Sequence, residues 1–331
     1  YSVYIGIPFC PSRCFYCSFS SYPIDGMRDM EEAYLTALFK EIEFAASAFP
    51  DRILNTVYIG GGTPTALSAR SLDRLLDYVN QTLHAGKTEE FTVEAGRPDS
   101  IDREKLRILK EYGVSRICVN PQSMNDETLK KIGRSHSAEM VKKAFFLARE
   151  EGFTNINMDI ILGLPGEGER EIRHTMDEII RMKPDDLTVH SLALKRASRL
   201  AEAREVLPAD GLHNSDEMMS IASSGAAEIG LTPYYLYRQK NIAGNFENTG
   251  YAREEPESGA ERGTEGLYNI LMMEETEPVI ACGAGTVSKM VKADPEGSDG
   301  KHITRCDTFK EVGPYIDRVD EMIERKRKLF L

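Results

Sequence analysis

No run of ~18 or more consecutive apolar residues occurs in this 331-residue chain, so no segment has the length of a membrane-spanning helix. The first residues also lack the charged, apolar and small-residue zones of a secretion signal, and the chain is read as cytoplasmic. Basic residues are outnumbered, 41 against 53 acidic ones, and the formal charge of −12 argues against broad phosphate-driven binding of nucleic acid. Cysteines are scarce, six in all, while a hydrophobic content of 41% supplies a large core that needs no disulfide staples. No internal repeat is visible beyond an alternation of short and long apolar patterns. The chain opens at Tyr1 rather than Met and enters a strand-like run at once, so a preceding portion is expected.

What is present is that alternation. Short β-branched runs at 3–7, 56–60, 90–94, 115–119, 154–160 and 187–191 predict strands, and segments of helical period at 30–48, 69–83, 102–112, 138–151 and 169–182 lie between them. Six such units predict an α/β fold with a partial (βα)6 TIM-like barrel over residues 1–195, short of the eight units of a closed barrel and therefore open along one side. Residues 196–331 read as a smaller C-terminal α+β domain that serves the substrate. It begins with a charged stretch at 195–204, continues with a helix at 215–229 and strands at 234–238, 268–273 and 279–281, and ends in a helix at 312–326. The charged, glycine-containing stretch 253–266 reads as an exposed loop.

Three of the six cysteines crowd into Cys10-Pro-Ser-Arg-Cys14-Phe-Tyr-Cys17, directly after the first strand, where α/β barrels place their chemistry. In a reducing compartment such crowding points to a metal or redox site. Structural zinc takes four ligands, and no histidine or fourth cysteine stands nearby at finger spacing. Three thiolates on a four-iron cubane leave one iron with an open position, able to chelate the amino and carboxylate groups of S-adenosylmethionine. Cys118, Cys282 and Cys306 are scattered and read as buried structural thiols. Further strand ends carry Gly60-Gly61-Gly62-Thr63-Pro64-Thr65, Glu94, Gln122, Arg134 and Asp159, the glycines admitting close backbone approach and the polar groups suited to ribose hydroxyls or a carboxylate.

This order of motifs, with the aromatic Tyr16 before the last cysteine, resembles the radical S-adenosylmethionine superfamily. The combination of Tyr4, Pro8-Phe9-Cys10, Gly-Gly-Thr-Pro-Thr, Gln122, Arg134 and Gly163-Leu-Pro-Gly166 resembles its oxygen-independent coproporphyrinogen III oxidase branch over residues 1 to about 195, and 233–248 resembles the HemZ-type subgroup. The resemblance implies a [4Fe-4S] cluster on Cys10, Cys14 and Cys17. It implies S-adenosylmethionine contacts at Tyr4, Phe9, Tyr16, Gly61, Gly62, Thr63, Glu94, Gln122, Arg134, Asp159 and Ile161, and a 5'-deoxyadenosyl radical that acts on a tetrapyrrole. Catalytic roles fall on Tyr4, Arg134, Arg238 and Lys240, the last two as cations for substrate propionates, and an electron donor such as flavodoxin or ferredoxin is expected as a partner. One departure matters: the well-studied oxidases carry a cysteine at the position of Phe19, whereas the heme-chaperone relatives have Phe there, as this chain does. Gly283-Ala-Gly-Thr286 resembles a glycine-rich turn of those chaperones, so a heme-binding chaperone and a radical methyltransferase acting on heme stand as alternatives. His190 is a candidate heme ligand or a structural histidine.

Overall fold

The computed structural model describes residues 1–193, 214–238, 244, 246–254, 263–293 and 301–331. The charged stretch 195–204, Lys240 and the centre of the 253–266 segment lie outside the described residues.

The β-branched runs form strands β1 (Ser2–Ile7), β4 (Thr56–Gly61), β5 (Glu90–Val93), β6 (Arg116–Cys118), β7 (Ile156–Leu162) and β8 (Asp186–Ser191), and these lie side by side, all parallel. Helices α1 (Arg28–Ser47), α2 (Ala69–Leu83), α3 (Arg103–Glu111), α4 (Asp126–Lys131), α5 (Ala138–Glu150) and α6 (Glu169–Met182) connect them. The helices start where the sequence offers caps: Ser68, Asp102 and Ser137 each accept a backbone N–H from three residues ahead, filling donors that the first turn leaves open. A two-residue parallel pair, β2 (Phe9–Cys10) with β3 (Tyr22–Pro23), pins both ends of the cysteine loop.

The period of two along a strand sorts the chemistry. Val3, Ile5, Val57, Ile59, Val93, Ile117, Ile156, Met158, Ile160, Leu187 and Val189 are buried in the core. Their alternates, Tyr4, Tyr58, Glu94, Arg116, Cys118, Asn157, Asp159, Ile161, Thr188 and His190, line a common concave face.

The C-terminal residues extend both sides of this sheet. Helix α7 (Asp216–Ile229) packs on α6; β9 (Thr232–Tyr237) and β10 (Asn248–Ala252) then add antiparallel beyond β8, with β9 at the edge. On the other side β11 (Val279–Cys282) adds as a seventh parallel strand beside β1, followed by antiparallel β12 (Val287–Ala293) and β13 (Lys301–Asp307). Among the described residues the edges β13 and β9 do not pair with each other, which gives the open partial barrel that the βα count predicts.

Two C-terminal expectations are corrected. The run 268–273, expected as a strand, is helix α8 (Leu267–Met273), because Glu90 accepts the backbone N–H groups of Leu267 at 2.6 Å and Tyr268 at 3.3 Å and so caps the first turn. A short apolar run does not by its pattern separate helix from strand. The closing helix is two, α9 (Val312–Asp317) and α10 (Val319–Phe330), broken where Arg318 leaves helical geometry at φ −128° and ψ 26°. Helix α10 is held by a fully buried ion pair of Lys326 with Glu41 of α1; Glu41 also accepts from Tyr315 Oη at 2.6 Å and from Gly283 N at 2.7 Å.

Candidate active site

At the C-terminal ends of the parallel strands lies a cavity of about 400 Å³, within the usual ~300–1,000 Å³ of small-molecule sites. Cys10, Cys14 and Cys17 stand at its wall as free thiols. Cys10 Sγ is 3.4 Å from Thr63 Oγ1, Cys17 Sγ is 3.7 Å from Ser21 Oγ, and Cys14 Sγ receives Arg97 Nη1 at 3.5 Å. Burial pushes the Cys10 thiol up to about 12 against the opposing hydrogen bond from Thr63, and burial also raises Cys17. Among the described residues no three His, Cys, Asp or Glu side chains converge as the ligands of a single metal ion do; the three thiols are spread along the cavity wall instead.

The glycine loop lies against the cysteine loop. Gly62 N donates to Ile7 O at 2.7 Å and Thr63 N to Phe9 O at 2.7 Å, and a Cβ at position 62 would come within 2.5 Å of Phe9 O, so this approach needs glycine. Gly61, with φ +104°, turns the strand end into the cavity. Glu94 accepts Tyr58 Oη at 2.6 Å; burial lifts its carboxyl to about 7, partly offset by that hydrogen bond. Asp159 is half-buried, and hydrogen bonding and charge from His190 and a 2.7 Å hydrogen bond from Asn157 outweigh the desolvation that would raise it and hold it below the ordinary carboxylate range. His190 Nε2 lies 3.8 Å from Asp159 Oδ2 and its Nδ1 lies 3.4 Å from Tyr237 Oη. Gln122 sits at φ +65°, a left-handed conformation rare outside glycine and typical of functional positions. Burial works against the charge on Arg134, but Tyr16 and Cys14 beside it outweigh burial and keep the guanidinium ionised.

Of the residues singled out from sequence, the cavity gathers Tyr4, Cys10, Cys14, Tyr16, Cys17, Gly61, Gly62, Thr63, Glu94, Gln122, Arg134, Asp159, Ile161 and His190. Phe9 is fully buried behind the wall, edge-on to Tyr34 with ring centroids 5.3 Å apart. Arg238 stands off the cavity lining, exposed, with Nη2 3.3 Å from Glu247. Cys118 also lines the cavity, and Cys306 is half-buried. The sequence reading missed Arg97, whose signal is its place three residues after Glu94. It also missed the stacked rings of Tyr4, Tyr58 and Tyr268, and the buried Arg116–Asp186 pair at 2.7 Å, residues 70 positions apart that only the strand order unites.

Asn120 Oδ1, Gln122 Oε1 and Arg134 Nε are buried without a hydrogen-bond partner among the described residues, a condition rare in native proteins and suited to meeting a ligand. Three free thiols of one loop beside these groups fit a cluster together with a polar ligand. Fold and site together define a protein with a three-cysteine loop and a polar-lined cavity at the strand ends of an open parallel barrel.

The chain belongs to the radical SAM superfamily, whose pattern matches residues 4–179, more than half of its length. Membership brings with it a [4Fe-4S] cluster and S-adenosylmethionine as cofactors. The chain is 41% identical over 330 residues to the oxygen-independent coproporphyrinogen-III oxidase-like protein HemZ of Bacillus subtilis (strain 168), covering 99% of this chain and 63% of that protein. It is 41% identical over 197 residues to the heme chaperone HemW of the same organism, covering 59% of this chain and 51% of the chaperone. The chain thus spans between half and two-thirds of the length of these relatives. Its fold matches coproporphyrinogen III oxidase (HemN) from Escherichia coli, a radical SAM enzyme, with a TM-score of 0.72 at 22% identity over 97% of this chain and 69% of that one. Among the described residues no helix is long and apolar enough to cross a membrane.

Proposed function

We propose that the chain is the core of an oxygen-independent coproporphyrinogen III dehydrogenase, which converts two propionates to vinyl groups. The observation that carries this reading is the single cavity in which the cysteine loop, the glycine loop and the polar strand-end residues meet tyrosines of the β9 wing. When bound, the cluster and S-adenosylmethionine supply one-electron chemistry that yields a radical able to take hydrogen from a carbon–hydrogen bond. Cys10, Cys14 and Cys17 hold the cluster. Backbone at Gly61, Gly62 and Thr63 receives the amino group of S-adenosylmethionine, Arg134 pairs with its carboxylate, and Glu94, Asp159 and Gln122 take its hydroxyls and adenine edge. Tyr4, Phe9, Tyr16 and Ile161 shape the space around it. Residues 1–195 carry the cofactors and 196–331 the tetrapyrrole, with Arg238 and Lys240 as cations for its propionates. Each propionate loses a hydrogen atom from its β-carbon, then carbon dioxide and one electron, which an external one-electron acceptor takes; a flavodoxin or ferredoxin is the electron donor.

A heme-chaperone reading has support of its own, since Phe19 is 64% exposed beside the cysteine loop and the chaperone HemW aligns at 41% identity. One observation favours the dehydrogenase: the HemZ-like relative aligns over 99% of the chain against 59% for the chaperone. Anaerobic incubation of the reconstituted, reduced protein with S-adenosylmethionine and coproporphyrinogen III tests the choice by mass spectrometry. Stepwise loss of two carboxyl groups supports dehydrogenation; tight heme binding without decarboxylation supports the chaperone, and transfer of a labelled methyl group supports a methyltransferase.

A further inference from the structure

Beside the cysteine loop one cation has no part in the cofactor contacts assigned above. Arg97 follows β5 and is 2% exposed. A guanidinium carries five N–H groups in a rigid fork, and five contacts surround this one. Nε and Nη2 donate to the two oxygens of Asp99 at 2.9 and 2.8 Å; Nη2 also donates to Ser12 Oγ at 3.1 Å; Nη1 donates to Ser12 O at 3.2 Å and to Cys14 Sγ at 3.5 Å. Ser12 in turn donates to Gly133 O at 3.3 Å, and Phe15 N donates to Ile132 O at 3.0 Å, so the cysteine loop is stitched on both sides of Cys14. Asp99 stands on the far side of the fork, fixing its plane; buried His136, 4.0 Å from Asp99, backs it in turn.

We propose that Arg97 sets the reduction potential of the cluster by donating a charge-assisted N–H to Cys14 Sγ, and that Asp99 limits the strength of that effect. This rests on the reading that Cys14 is a cluster ligand. Cluster potentials respond to hydrogen bonds at the ligand sulfurs and to local charge. Reduction adds an electron to the cluster and its thiolates, so a positive donor aimed at one sulfur favours the reduced state and raises the potential. Asp99 draws the same charge away and tempers it. Arg97 acts through Cys14 and is a positioning residue.

The test is a redox titration of the reconstituted protein, monitored by the electron paramagnetic resonance of the reduced cluster, with iron content measured alongside. Arg97→Gln should keep its iron and shift the reduction equilibrium about tenfold toward the oxidised cluster, ~59 mV for one electron. Asp99→Asn, which leaves Arg97 in place, should shift it in the opposite direction, and Arg97→Lys should fall between wild type and Arg97→Gln. If Arg97→Gln loses its cluster, the opposite-sign shift of Asp99→Asn decides alone, because loosening of the loop predicts no such reversal. A fully loaded Arg97→Gln with wild-type potential, or shifts of one sign in both variants, overturns the proposal. Cys14→Ala that retains a full four-iron signal would instead overturn the ligand assignment beneath it.

Discussion

The two wings of the sheet are built alike and used differently. Each adds strands beyond the parallel core, β11 to β13 on the β1 side and β10 with β9 on the β8 side. On the β11 wing buried polar groups are satisfied by one another: Lys326 with Glu41 and Ala281 O, Glu41 with Tyr315 and Gly283 N, and Tyr34 Oη with Gly6 O at 2.6 Å and Ala284 N at 3.0 Å. On the β9 wing Tyr235 and Tyr237 face the cavity, and the reach from Tyr237 through His190 to Asp159 is loose, at 3.4 and 3.8 Å. A closed network fixes a scaffold; long contacts at a cavity wall leave groups able to meet a ligand. The lesson is that the C-terminal residues divide by sheet edge, one side closing a buried polar network with α1 and the other presenting tyrosines to the cavity.

The sharpest break between the wings is in stability. Lys326→Met strands a buried carboxylate and should cost about 3–5 kcal/mol, whereas pairing it with Glu41→Leu should recover most of the loss, both read from urea unfolding. A loss under 1 kcal/mol for the single variant would show that the network braces little. His190→Ala, by contrast, should lower tetrapyrrole turnover by roughly 100-fold or more, in the range of a lost acid–base group, with the unfolding midpoint and iron content unchanged. Equal turnover would remove the contact between His190 of β8 and Tyr237 of the β9 wing from the chemistry.

A smaller effect sharpens the cavity between the wings. Glu94 has a carboxyl raised to about 7 by burial, facing Tyr58, Tyr4 and Tyr268 with Asp159 and Arg116 nearby. Ribose hydroxyls bind better to the ionised form, so S-adenosylmethionine affinity should rise several-fold between pH 6 and 8, and Glu94→Gln should flatten that slope. The same shift works against the fold: between the unfolded value of 4.5 and about 7 the native state holds a proton that the unfolded chain releases, so this group's contribution to stability falls as pH rises through that window. Smallest of all, Arg238→Gln alone should leave stability within ~0.5 kcal/mol, since its pair with Glu247 is exposed. Only with Lys240→Gln should tetrapyrrole affinity drop, and unchanged affinity in the double variant would move the propionate cations elsewhere.

Much of the core was legible because apolar residues such as Val57 and Ile59, or Ile156, Met158 and Ile160, recur at every second position of short runs, and because the cysteine and glycine loops follow strands directly. The wings were less so. Strand β10 (Asn-Thr-Gly-Tyr-Ala) carries Asn and Gly, poor strand formers that pair because Asn248 Oδ1 accepts Ser191 N at 2.8 Å. Helix α8 is settled by Glu90, 177 residues earlier, which no local pattern reveals. Arg97 shows the limit at the site. The sequence marks it as a charge in a loop, and only the fold brings it to Cys14, 83 residues away.

The most direct measurement is isotopic. Coproporphyrinogen III deuterated at the propionate β-carbons, incubated anaerobically with the reduced protein and S-adenosylmethionine, should yield 5'-deoxyadenosine carrying deuterium together with a tetrapyrrole that has lost carboxyl groups. Deuterium-free 5'-deoxyadenosine from an intact substrate would contradict the proposal that this cavity brings a propionate to the radical.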